Sequence, residues 1–244
     1  MRRISPYISV DCVLFGYNGS KLEVLIVDRT LTDEKSGKVL IDDRTLTGNH
    51  VYEDETIEDA AYRVLYDLTG LDNVFLEQFK TFAHPERLKK PNDQLWLKST
   101  GRVVDARIVT IGFYSLVATD KVKLQWKGRN VNWVPVSEVG ELAFDHNLIL
   151  NEALKTLQTR IKYEPITFEL LPDKFTLTQL QNVYEAIWGI ALDKRNFRKK
   201  VARMKYLIQL DEKQTGVAHK PARLYVFSRD VYDKTRKELF DFTI

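Results

Sequence analysis

Nine residues near the C-terminal end have the types and spacing for polyanion chemistry: Lys194, Arg195, Asn196, Arg198, Lys199 and Arg203 in one run, then His219, Lys220 and Arg223 in a second. Lysine and arginine neutralise phosphates, and in a duplex major groove arginine favours guanine and asparagine favours adenine. Between Ile190 and Arg229 eleven Lys and Arg face only Asp193, Asp211 and Glu212, a local balance of +8. The whole chain carries +3, so the remainder carries −5. That asymmetry describes a basic module attached to a mildly acidic domain. A merely solvated helix face would pair its cations with acids at i, i+4, and this run has almost none.

The elements that must hold these residues can be read around them. Phe197, Val201 and Met204 step by four and three, so a helix over 194–206 turns them inward and the cations outward. Asp193 caps it. Upstream, Thr176-Leu-Thr-Gln179 is a capping box that opens a helix over 177–188, which Gly189 ends. Two helices joined by a short turn, the second one basic, are a helix-turn-helix. Short apolar strands at 207–210 and 224–227 flank the tip DEKQTGVAHKPAR, the outline of a wing. His219, Lys220 and Arg223 would there meet backbone or minor groove.

A second informative stretch is Gly48 to Leu71, GNHVYEDETIEDAAYRVLYDLTGL. Ile57, Ala60, Ala61, Val64, Leu65 and Leu68 recur at helical spacing on one face. Thr56 suits its N-cap, Glu58 and Asp59 the positive end of the dipole, and Gly70 a left-handed exit. The stretch resembles the Nudix box. Glu55, Arg63, Gly70 and Leu71 match it, the opening glycine is replaced by Asn49 with Gly48 just before, and the three carboxylates of the box become Val64, Asp67 and Leu68. In enzymes of that family these acids hold Mg²⁺, a cation that demands hard oxygen ligands. Val64 and Leu68 offer none and Asp67 supplies one at most, so no catalytic residue, no metal and no cofactor are expected. Glu55 and Arg63 are kept, as the ion pair that ties loop to helix in the family. The preceding DRTLTGN departs from the Trp-x-x-Pro-Gly-Gly of catalytic members.

Elsewhere, strands are expected at 7–17 and 21–29 around the turn Asn18-Gly19-Ser20, at 74–82, at 103–117 and at 130–135. Residues 30–47 read as a polar loop, and the insert from His84 to Thr100 as a mobile loop that Trp96 pins or with which it covers a ligand. A helix over 145–163, capped by Asp145, ends at Glu164-Pro165. The resemblance implies an α/β fold: a Nudix α/β/α sandwich with a mixed sheet, followed by a C-terminal winged helix-turn-helix domain. Its parts would be an effector domain 1–144, a linker helix 145–163 and a DNA-binding domain 164–244.

The eroded box, together with LLPDKFTLTQLQNVYEAIWGIALDKRNFRKKV, is similar to the Nudix-related transcriptional regulators. The resemblance implies a homodimer on a double-stranded operator, with DNA affinity set by a sugar or ADP-ribose-like effector in the former catalytic domain. Candidate effector contacts near the implied cleft are Arg29, Arg44, His50, Arg63, Asp67 and Arg102, with Arg107 bordering the insert. Two other readings are a metal-dependent hydrolase of a nucleoside diphosphate derivative using Asp67, and a module that meets RNA or an acidic protein. At 244 residues, 44% hydrophobic and 29% charged, the chain has globular composition. A single cysteine suits a cytoplasmic setting. No apolar run approaches the roughly 18 residues of a membrane helix.

Overall fold

A computed structural model describes residues 2–70, 74–104, 106–122, 130–218 and 220–235. The chain divides into two units, one of residues 1–16 with 23–154, the other of 17–22 with 155–244.

The first unit is built on a seven-stranded sheet of β1 (Ile4–Tyr17), β2 (Leu22–Thr32), β3 (Val39–Thr45), β4 (Thr47–Tyr52), β5 (Leu76–Phe82), β6 (Val109–Ala118) and β7 (Val131–Pro135). The order is β3-β2-β1-β6-β5, with β4 also pairing β1 and β7 also pairing β2. The long central strands are almost wholly apolar because both of their faces are covered. Helix α1 (Ile57–Thr69) lays Ala60, Ala61, Val64 and Leu65 on Val10, Cys12 and Leu14 of β1 and Ile111 and Phe113 of β6. Burial of each branched side chain there contributes about 1.5–3 kcal/mol. The helix starts at the expected cap: Thr56 Oγ1 accepts from the Asp59 N–H at 3.1 Å, and the Asp59 carboxylate accepts from the Thr56 N–H. It ends at Gly70, whose φ of 64° is the left-handed conformation glycine adopts without a Cβ penalty.

Three expectations for this unit are corrected. Residues 30–47 are not a loop: β2 runs on to Thr32, and β3 and β4 follow. The polar sequence hides an edge strand whose pairing rests on opposite charges, since Arg29 lies across from Asp43 and Asp28 across from Arg44. The insert is not a mobile loop, because Pro91 begins helix α2 (Pro91–Ser99), a helix held down by buried Asp93 and Leu97 one turn apart. Strand β6 begins at Val109, not 103. Helix α3 (His146–Arg160) lies within the expected span, and the carboxylate of Asp145 takes the Arg87 guanidinium at 2.8 and 2.9 Å.

In the second unit, α4 (Leu177–Trp188) has the capping box of Thr176 and Gln179 and the left-handed Gly189. α5 spans Lys194–Val201, shorter than the expected 194–206, because after Val201 the chain turns to bring Met204 and Tyr206 into the core. β8 (Leu207–Lys213) and β9 (Arg223–Phe227) form the wing, and α6 (Arg229–Thr235), not expected from the sequence, follows. The core of this unit is aromatic: Phe168 stacks on Phe227 at 4.5 Å, and Tyr184 meets Phe197 edge-on at 5.9 Å.

Candidate functional site

The cationic face is fixed from beneath. Asp193 Oδ1 accepts from the Asn196 N–H at 2.7 Å and starts α5. The turn before it is pinned twice, by the Leu192 N–H donating to Glu185 Oε1 at 2.8 Å and by Gln181 Nε2 donating to the Leu192 carbonyl at 2.9 Å. With Phe197 and Val201 buried, Lys194, Arg195, Asn196, Arg198 and Lys199 are exposed, and Arg203 is exposed just beyond the helix. Among the described residues no carboxylate pairs with any of these cations. On the wing, the Gln214 N–H donates to the Ala222 carbonyl at 2.9 Å and closes a tip on which Lys220 is exposed, with exposed Arg223 at the start of β9. His219 lies outside the described residues. A capped helix presenting bare cations next to a basic hairpin is chemically suited to phosphate backbone and base edges.

The first unit holds a cavity of about 220 Å³ bounded by β1, β2, β4, α2, β6 and the start of α3. Of the six candidate effector residues, Arg29, His50 and Arg102 line it; Arg44, Arg63 and Asp67 do not. Arg63 instead makes two bonds to Glu55, at 2.6 and 3.0 Å, and lies over the Tyr52 ring at 4.3 Å. That is the structural pair the sequence suggested. Arg44 is half-buried, its carbonyl accepting from the Ala143 N–H at 2.8 Å, and Asp67 is exposed on α1.

The cavity floor comes largely from residues the sequence reading passed over. Asp11, a carboxylate in the middle of an apolar strand, faces His146 Nε2 at 3.5 Å and Arg87 at 3.8 Å. The Leu46 N–H donates to His146 Nδ1 at 3.0 Å, so that nitrogen carries no proton and Nε2–H points to Asp11. Arg87 also donates to Thr110 Oγ1 at 2.5 Å, and Thr110 in turn bonds Ser9 at 2.6 Å. Burial raises the Asp11 pKa, but His146 and Arg87 more than offset it and hold the carboxyl below its ordinary value. Burial, reinforced by Arg102, lowers the His50 pKa. Burial also lowers Arg102, which donates to Asn49 Oδ1 at 3.0 Å on the cavity wall. The one available signal for this floor was Asp11, a charge where strand patterning wants an apolar residue.

Two of the box's carboxylate positions, 64 and 68, carry Val and Leu, which have no side-chain oxygen. Val64 is 4% exposed inside the core, and the side chain of Leu68 lies outside the described residues. No group of three or more His, Cys, Asp or Glu among the described residues could hold a metal ion. No described helix is long and apolar enough to cross a membrane.

Comparison with known proteins bears on both units. Residues 167–227 match the family described as the NrtR DNA-binding winged helix domain. This region is an NrtR-type winged helix. The whole chain is similar to a transcriptional repressor and to two proteins of known structure. It is 28% identical over 234 residues, 94% of this chain and 85% of the other, to a protein of Acinetobacter baylyi (strain ATCC 33305 / BD413 / ADP1) named ADPR responsive transcriptional repressor NtrR. Its fold matches the crystal structure of Shewanella oneidensis NrtR complexed with a 27mer DNA, with a TM-score of 0.72 and 26% identity over 93% of this chain and 95% of that one. A MutT/nudix family protein from Enterococcus faecalis shares the fold at a TM-score of 0.64 and 22% identity, over 92% of this chain and 88% of that one. The expected Nudix α/β/α sandwich with a mixed sheet, followed by a winged helix, is therefore the fold of this chain.

Proposed function

We propose that the chain is an effector-responsive transcriptional regulator. It binds a double-stranded operator as a homodimer in the cytoplasm, and its Nudix unit senses a sugar or ADP-ribose-like metabolite without hydrolysing it. The observation that carries this reading is the set of exposed, unpaired cations on the capped second helix of the winged helix. The names of the Acinetobacter and Shewanella relatives support DNA as the partner, and the former supports ADP-ribose as the effector. The working parts are residues 1–144 for sensing, 145–163 as connector and 164–244 for DNA. Lys194, Arg195, Asn196, Arg198, Lys199 and Arg203 would enter the major groove, with His219, Lys220 and Arg223 on the adjoining backbone.

Donor chemistry supports catalytic inactivity, since Val64 presents only methyl groups where the box supplies a carboxylate. For the ligand to control DNA binding it must prefer one arrangement of the protein over another. Footprinting on DNA upstream of the chain's own gene neighbourhood, with and without ADP-ribose and pentoses, tests the reading. A discrete protected site whose occupancy changes with one of these ligands is the expected result. Uniform, sequence-independent protection together with metal-dependent pyrophosphate cleavage would replace it with the hydrolase reading.

A further inference from the structure

The start of α3 is tied to the cavity at three consecutive residues, an arrangement the sensing reading leaves without a role. Phe144 lines the cavity, and the centre of its ring lies 4.6 Å from the Arg29 guanidinium carbon. Asp145 stands outside the lining but accepts from Nε and Nη2 of Arg87, a lining residue, at 2.9 and 2.8 Å. His146 lines the cavity too, its Nδ1 accepting from the Leu46 N–H at 3.0 Å and its Nε2 3.5 Å from Asp11. Among the described residues, Phe144 is the one non-glycine position with a positive φ, 56°. A bulky L-residue is strained in that conformation, and the strain persists only where the surroundings hold it. Here the ring is held on Arg29, and the Phe144 N–H donates to buried Asp93 at 3.2 Å.

We propose that Phe144, Asp145 and His146 form the latch through which occupancy of the cavity moves α3. This deepens the sensing reading and rests on it. A ligand in the cavity meets the Phe144 ring and competes for Arg87, whose two bonds fix Asp145. Asp145 in turn starts the helix, its carbonyl accepting from the Leu148 and Ile149 N–H groups at 2.9 and 3.2 Å. Once the ring leaves Arg29, residue 144 is no longer held left-handed, and its return to an ordinary conformation re-aims Asp145 and His146 together. The strain makes the latch a two-state element rather than an elastic one, which is what transmission between sites requires. Buried Ile149, Leu150 and Ala153 on the next turns carry the shift along α3, a single helix that runs to Arg160, past the end of the first unit at Leu154. A ligand biases the latch only through its different affinities for the two arrangements.

The test measures operator affinity of the full chain with and without saturating ADP-ribose or L-arabinose, with calorimetry to confirm that the probe binds. In the unaltered protein one probe should change operator affinity by a factor within the usual ~5–150-fold range of coupling between sites. In Asp145→Asn the probe should still bind, but the ratio of operator affinities should fall to within about twofold of one. Loss of fold stability alone would weaken both affinities and leave their ratio unchanged, so a folded variant that keeps the wild-type ratio overturns the proposal. Hydrogen exchange on the unaltered protein carries the test even where Asp145→Asn does not fold. The probe should alter exchange of the amides of 149–154, beyond the last lining residue of the helix, whereas a change confined to 144–146 and the cavity walls overturns the latch. If neither probe binds, or one binds without moving operator affinity in the unaltered protein, the sensing reading itself fails and the latch with it. That result is distinct from a probe that acts on the operator without Asp145.

Discussion

Replacing Lys194 and Lys199 together with alanine removes two cations that are exposed and unpaired in the winged helix. Each phosphate contact contributes about −0.9 to the slope of log affinity against log salt, through release of condensed counterions. The seven exposed cations Lys194, Arg195, Arg198, Lys199, Arg203, Lys220 and Arg223 set a ceiling of roughly −6 per chain. The double variant should flatten the slope by about 1.8 per protomer, hence about 3.6 for a dimer on its operator. Between about 50 and 200 mM salt, its affinity loss should then be roughly 150-fold smaller than that of the parent protein. Fluorescence anisotropy with a labelled operator fragment over a salt series measures this. Lys174→Ala is the control, because Lys174 is exposed in the same unit but bonded to Glu212 at 2.6 and 2.8 Å. An unchanged slope in the double variant, or an equal change in the control, would refute the assignment of α5 to the phosphate backbone. A flattening near 1.8 would refute the dimer while leaving the interface standing.

Three further outcomes are expected. Val64→Glu restores a box carboxylate but places it in the core, so it should cost about 3 kcal/mol or more in chemical denaturation and give no Mg²⁺-dependent pyrophosphatase activity; measurable turnover would show that the helix can still present a metal ligand. At Gly48 an added Cβ would stand 1.8 Å from Asp11 Oδ1 and 2.8 Å from the Val10 carbonyl, so Gly48→Ala should destabilise by about 1–3 kcal/mol and weaken ligand binding, read by melting and calorimetry. A neutral melting profile would mean that β1 and β4 separate more easily than their register implies. Burial raises the Asp11 carboxyl, but His146 and Arg87 leave it below its ordinary value, so it adds stability that is present above the unfolded value of about 3.9 and is lost as pH falls through the lower folded value. Asp11→Asn should therefore cost stability at neutral pH, with the gap to wild type closing as pH falls below the unfolded value; a gap constant with pH contradicts the ion-pair account.

The elements legible in the sequence were those whose information is local. Thr56, Thr176 and Asp193 cap helices with their own side chains, and Gly70 and Gly189 end helices by backbone conformation, so each announces itself within four residues. β3 was illegible because its stability comes from a partner strand: Asp43 and Arg44 look like loop residues until they are set against Arg29 and Asp28. The α2 helix was hidden for a related reason, since its buried anchor is a carboxylate, Asp93, satisfied by a distant arginine and by the distant Phe144 N–H. The cavity followed the same rule. Arg29, His50 and Arg102 could be named from their type and their nearness to the box, whereas Asp11 meets Arg87 and His146 across sequence separations of 76 and 135 and the three show no shared local pattern. The winged helix was the more readable unit because its chemistry sits on one continuous helix.

The chain's single thiol, Cys12, is wholly buried, with Sγ 3.8 Å from the Ala61 carbonyl, and burial together with Asp11 pushes its pKa up. A thiol in that state is inert toward aqueous disulfides and alkylating agents until the sheet and α1 part. Labelling kinetics with a chromogenic disulfide therefore clock spontaneous opening of the first unit without any engineered reporter, and a ligand that tightens this unit will slow the clock even when the operator is absent.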